Sequence, residues 1–266
     1  LAALRAIHTD WFKELIHNNL YQKHNISIKG GNGSTTYYVS GNYTYQGGRI
    51  EGNDKRRFNV RMGLDQQLGK IGYLMIGVSG GYAKSNSPNG TDFDPTSLVY
   101  NLNPYEQKTG QLFSYPNRTF NDLMHQYQSD ATDRNAGADI NITLTPWKDL
   151  TLAYVAGLDF LQNDVHRFTP ASAFSEQNSG IPVLAQGIYS RTKGTTTNIS
   201  SNLRVTYNHV FADVHDVTLG ANMDYYGTNS DAVGIVGYGV GNIDAPSAIN
   251  NSLQGFRQPT VKNPRD

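Results

Sequence analysis

From Lys23 onward, apolar and polar side chains take turns residue by residue, and the connections between the alternating segments are by turns short and long. A period of two puts successive side chains on opposite faces of a β-strand, whereas a helix repeats near 3.6. Eight segments carry the pattern. Residues 24–30 place Ile26 and Ile28 on one face, and residues 35–46 place Thr35, Tyr37, Val39, Gly41, Tyr43 and Tyr45 there. Residues 57–65 set Phe58, Val60, Met62 and Leu64 against Arg57, Asn59, Arg61 and Asp65, and residues 74–82 set Leu74, Ile76, Val78 and Tyr82 against glycine, serine and Met75. The last four candidates, 138–144, 150–160, 198–207 and 217–225, repeat the alternation through Ile140, Leu158, Leu203 and Met223.

From the second segment to the last, the apolar face carries no charge. Arg61, Asp65, Asp139, Asp159, Arg204 and Asp224 all fall on the other face. A lipid-facing Arg or Lys at mid-bilayer costs roughly 2–4 kcal/mol, so this is the sorting that lipid demands. A soluble sandwich, with the apolar side as core, sorts its faces too. The connections separate the two. Short links at 30–33, 69–72, 146–149 and 212–215 alternate with longer ones at 47–55, 84–133 and 162–197. Outer-membrane barrels have tight periplasmic turns and long outer loops, while structureless loops of this length are rare in compact soluble domains. Aromatics gather at both strand ends, as interfacial belts require. Tyr37, Trp147, Tyr207 and Phe211 lie near the short turns, and Tyr43, Tyr45, Phe58, Tyr82, Phe160 and Tyr225 near the long loops. Tyr73 sits at a short-turn end with the polar parity and fits less well.

Composition removes several classes. Lys+Arg and Asp+Glu are both 22 and cysteine is absent, which leaves no basic surplus for nucleic acid and excludes disulfides and thiol chemistry. Mean hydropathy is −0.51, and no apolar run of about 20 residues occurs, so helical spans are excluded while alternating barrel strands are not. Leu1, Leu4, Ile7, Trp11, Leu15 and Ile16 recur at helical spacing, predicting a short amphipathic helix within a leading segment, 1–22. Residues 23–230 are then the strands and loops of the barrel, and 231–266 an outer loop or tail. The first residues lack the features of a secretion signal, so the expectation is a chain that starts partway through its protein.

Particular words in the sequence carry a resemblance. Thr9, Asp10 and Trp11 are followed by His24-Asn25-Ile26-Ser27-Ile28-Lys29-Gly30-Gly31 and by Tyr37-Tyr38-Val39-Ser40-Gly41-Asn42-Tyr43. This block resembles SusC/RagA-type TonB-dependent outer-membrane transporters. Gln46 to Ile50, Lys55 to Phe58, Leu64-Asp65 and Thr145 to Leu152 are similar in style to the family's following loop, strand and periplasmic turns. The resemblance implies an all-β antiparallel transmembrane barrel segment, about eight meander strands of a larger plugged barrel of the 22-stranded kind. It implies import of oligosaccharides or peptides across the bacterial outer membrane, driven through TonB, with a SusD-like surface lipoprotein as lid. The plug, the TonB-contact segment and the remaining strands are absent from this sequence.

No catalytic chemistry is expected. Neither G-x-S-x-G nor H-E-x-x-H occurs, the seven histidines lack ligand spacing, and no cofactor is implied. Gly237, Gly239 and Gly241 only brush against a nucleotide-type pattern. Arg57, Asn59, Arg61, Asp139, Asn202, Arg204, Asn222 and Asp224 face the lumen on parity, where they meet the plug, one another or substrate. Tyr100, Tyr105, Phe113 and Tyr115, in the longest loop, are candidates for substrate or lid contact, because aromatic rings stack on sugars and anchor protein partners; packing inside the loop is the competing role. Two other functions remain open: a soluble all-β carbohydrate-binding or carbohydrate-active domain, and an adhesive barrel without transport.

Overall fold

The computed structural model describes residues 6–89, 94–240 and 260–262. Eight long strands form a meander: β1 (Tyr21–Gly31), β2 (Thr35–Gly47), β3 (Asp54–Gln67), β4 (Gly72–Ser87), β5 (Gln128–Trp147), β6 (Leu150–Thr169), β7 (Ile188–Phe211) and β8 (His215–Tyr238). A three-residue β9 (Thr260–Lys262) pairs with β8. Each strand is antiparallel to the next, and among the described residues β1 and β9 do not meet, so the sheet is open.

Every candidate strand is present, but most run well beyond the alternating stretch. The segment read at 138–144 is part of a 20-residue β5, and the one at 198–207 part of a 24-residue β7. The added residues lie toward the long loops, where both faces turn polar, as in Thr132, Asp133 and Arg134 or Thr195, Thr196 and Thr197. The 84–133 connection is correspondingly shorter and is not structureless. It begins after Ser87 and holds α2 (Thr96–Asn101) and α3 (Phe120–His125), after the earlier α1 (Trp11–Leu15) and before α4 (Phe174–Gln177). The leading helix is also shorter than its periodicity predicts. Ile16 is already extended and bridges to Ile50, while Leu1 and Leu4 lie outside the described residues. β8 carries strand geometry to Tyr238, into the segment read as tail, most of which is likewise undescribed.

Among the described residues the larger hydrophobic core is not on the sheet; a small cluster of Phe168 with Val240 and Tyr189 sits at the ends of β6 and β7. Trp11, Leu15, Leu98, Leu102, Leu112, Phe120, Leu123 and Met124 form one buried cluster, with Ile50 and Phe174 at its margin. It joins the leading segment to the long loops at one end of the strands. The Thr9-Asp10-Trp11 sequence explains the join. Asp10 caps α1 by accepting the Lys13 N–H at 3.2 Å, the Trp11 indole Nε1 donates to the Asn103 carbonyl at 2.9 Å, and the Thr9 hydroxyl donates to the Glu106 carbonyl at 2.6 Å. The buried Glu106 carboxylate accepts the N–H groups of Asn103 and Ser114, satisfying loop donors that burial would otherwise strand.

The register makes the strand tilt measurable. Residues directly opposite share a face, and Tyr82 faces Arg134, which leads across the row to Gln162, Thr195 and Asp231. The upper end of the apolar alternation is Tyr82 in β4 but Tyr225 in β8, six residues short of Asp231. Six residues at about 3.3 Å, gained over four strand spacings of about 4.8 Å, give a tilt of about 45°. With that tilt the upper ends of the β4 and β8 windows lie at one level, while Tyr43, Phe58 and Tyr82 of β2, β3 and β4 share a single register row. The longest window, Leu150 to Phe160 in β6, is about 33 Å along the strand and hence about 23 Å high.

Candidate functional site

The two faces of the sheet differ in chemistry and in cover. On the apolar face, Met223 is 71% exposed, Ile26 70% and Phe58 50%, and none of Tyr37, Val39, Met62, Val78, Leu158, Ile199 or Leu203 is buried. A sandwich core would enclose these side chains; among the described residues nothing packs over them.

The opposite face is polar and locally cross-linked. Asn202 donates to Asn222 at 2.9 Å and to Asp224, and Asn222 donates to Asp224. Three of the lumen-parity candidates, Asn202, Asn222 and Asp224, thus meet on β7 and β8, and a fourth, Arg204, stands opposite Asn222 in the register. Arg57, Asn59 and Arg61 stand together on β3, opposite Thr44, Asn42 and Ser40 of β2. Asp139 stands apart on β5, where its carboxylate lies over Gly77, and the Tyr38 ring covers Gly63 in the same way; a Cβ at either glycine would collide with the neighbour. Asn42 donates to Asn25, and Asn163 to Asp133 at 2.6 Å.

The loop aromatics divide. Tyr100 is 87% exposed and Phe113 70%. Tyr105 tilts against His8 at 5.8 Å, and Tyr115 turns inward, edge-on to Phe174 at 4.9 Å. Val183 and Leu184, in the β6–β7 connection, are as exposed as Phe113 and were not singled out in the sequence.

A second cluster escaped the sequence because it lies on the strand extensions, beyond the apolar window. Asp164 of β6 accepts Arg191 Nε at 2.9 Å and Nη2 at 2.7 Å, and His166 Nε2 sits 3.0 Å away. The Arg191 hydrogen bonds, with its charge and that of His166, hold the Asp164 carboxyl below its ordinary pKa against the opposing effect of burial. The bidentate pair staples β6 to β7 at the level where lipid-type side chains have ended. In the loop, the Thr119 backbone N–H, then its hydroxyl, lowers the Asp122 pKa within a capping box that starts α3. Among the described residues no group of three or more His, Asp or Glu is placed to hold a metal, and no helix is long and apolar enough to cross a membrane. Of the three pattern glycines, Gly237 lies within the last residues of β8, Gly239 turns with φ of 71° and Gly241 is undescribed.

An open antiparallel meander of steeply tilted strands, with one bare apolar face, one polar face and a loop core at one end, is an arc of β-barrel wall. Its fold is similar to part of the RagAB peptide importer. Against structures of that importer in the closed-closed and open-open states it gives a TM-score of 0.76 at 20% identity, covering 96% of this chain in each. Against a further structure of the RagAB peptide transporter it gives 0.73 at 19% identity. The SusC/RagA-like barrel arc expected from the sequence is therefore the fold observed. The chain spans about 30% of the length of the chains it matches. No protein-family model and no curated protein matches the sequence.

Proposed function

We propose that this chain is one arc of the wall of a TonB-dependent nutrient importer in the bacterial outer membrane. The observation that carries the reading is the apolar face of the sheet, whose side chains, from Ile26 on β1 to Met223 on β8, stand exposed with nothing among the described residues packed over them. Lipid outside the protein accounts for such a face, because it covers apolar side chains without a packed partner. On this reading, 1–22 leads into the barrel, 23–230 form wall and outer loops, and 231–266 belong to the outer surface. The polar face looks onto a lumen filled by a plug from elsewhere in the protein. The exposed Tyr100, Phe113, Val183 and Leu184 offer apolar anchors to a SusD-like lipoprotein lid, since buried aromatic side chains dominate protein contacts. The wall performs no covalent chemistry. The likeness to peptide importers favours peptides over oligosaccharides as cargo.

The test is uptake by cells. Deleting the gene that encodes this chain should abolish energy-dependent accumulation of labelled peptides, and the protein purified from outer membranes in detergent should carry a plug and a surface lipoprotein. A species that stays soluble without detergent would overturn the reading.

A further inference from the structure

We propose that the polar face of β1–β3, at the long-loop end, is a binding site for the carboxylates of an acidic peptide entering the barrel. The proposal rests on the importer reading and names the charge class of its cargo.

Tyr21, Lys23, Asn42, Thr44, Gln46, Lys55, Arg57 and Asn59 line a hollow of about 260 Å³. Three of these residues are cations. Lys55 and Arg57 point to the same face two residues apart, about 7 Å, and Arg57 lies in the row of Thr44 and Lys23, two strand spacings or about 10 Å away. None of the three forms an ion pair among the described residues; the pairs in this region involve Arg56 with Asp54 and His125 with Glu51. Asp133 continues the row beyond Ala83, but its carboxylate accepts the Asn163 amide. Asp65, which shares this face of β3, is ten residues from Lys55, at the short-turn end.

Across the sheet, the acids Asp139, Asp159 and Asp224 mark the polar face of β5, β6 and β8. Positive charge is therefore concentrated on one side of the wall. Its level is informative as well. The hollow lies at the height of Tyr43 and Phe58, the top of the apolar band on β2 and β3, so it opens near the outer mouth, where cargo arrives first. The amides suit a peptide in particular, because Gln46 and Asn59 each present a donor and an acceptor to a backbone that needs both, while two cations 7 Å apart match carboxylates on an extended chain.

The experiment uses the full transporter in detergent, titrated calorimetrically with tetraglutamate and with tetraglutamine. Wild type should bind tetraglutamate about tenfold more tightly, the equivalent of two partly exposed ion pairs, and about 0.5 M salt should erase the difference. Lys55→Glu with Arg57→Glu should remove the preference. The milder Lys55→Gln with Arg57→Gln serves if the first variant folds poorly, and Arg56→Gln, on the opposite face, should retain the preference. Equal affinities in wild type, with a lower melting temperature in the double variant, would mean that an internal carboxylate holds these cations and would overturn the proposal. A preference that survives both double variants would overturn it equally. Peptide uptake without charge preference would sink this inference and leave the importer reading intact. Charge-selective binding without uptake by cells would do the reverse.

Discussion

Leu203 lies midway along the apolar window of β7, between Ile199 and Tyr207, with Tyr154 and Met223 as its register partners. The window is eight residues, about 26 Å along the strand; at a tilt near 45° it is about 19 Å high, which places Leu203 about 9 Å from either edge. With the apolar face against lipid, as proposed, replacing it with arginine puts a guanidinium near the bilayer centre, at a cost of about 2–4 kcal/mol. The same substitution at Ile199 or Tyr207 lies at an interface and should cost about 0–1 kcal/mol, as should Asn202→Arg on the lumen side. The assay is reversible urea unfolding of the complete protein in phosphatidylcholine vesicles, with arginine walked along 199, 201, 203, 205 and 207. A cost that peaks at 203 and falls toward both ends is expected. A profile flat along the strand, or one in which Asn202→Arg is the costlier change, would refute the assignment of the apolar face to lipid.

Two further outcomes follow from the outer loops. Asp164→Asn removes the partner of Arg191 and His166, and should reduce hydrogen-exchange protection along the β6 and β7 extensions by about 1–3 kcal/mol. Because the folded Asp164 has a lowered pKa, its contribution is complete above the unfolded value near 3.9 and disappears as pH falls through the folded one; the variant should show no such acid step in the same exchange measurement. Trp11→Ala deletes a buried indole stacked on Phe120 at 5.3 Å, with an expected local loss of about 3–5 kcal/mol. Limited proteolysis should then cut within 94–127 while leaving the strands intact.

The strands were legible because lipid-type and lumen-type side chains alternate over the apolar window; their true ends were not, because above that window the alternation loses its meaning. In β7, Thr195, Thr196 and Thr197 offer no contrast between faces, so backbone pairing alone carries the strand upward. The loop core was hidden for another reason. Leu98, Leu102, Leu112 and Leu123 are isolated in polar sequence, and they converge on Trp11 through tertiary contacts and not through any local period. On the polar face, parity grouped all eight candidates together, but the meeting of Asn202 with Asn222 and Asp224 required the β7–β8 register. Lys23 and Lys55 were not singled out in the sequence; the β1–β2 and β2–β3 registers are what bring them beside Arg57.

β8 continues for thirteen residues past Tyr225 before ending at Tyr238. At the tilt of these strands, that extension carries the wall about 30 Å beyond the top of its apolar band. The arc is thus a parapet as well as a stretch of barrel wall. Any surface protein that rests on its rim while fastened to the bilayer by a lipid needs a leader of at least nine or so fully extended residues to reach its own anchor, and shortening that leader would unseat the partner without altering a single contact between the two.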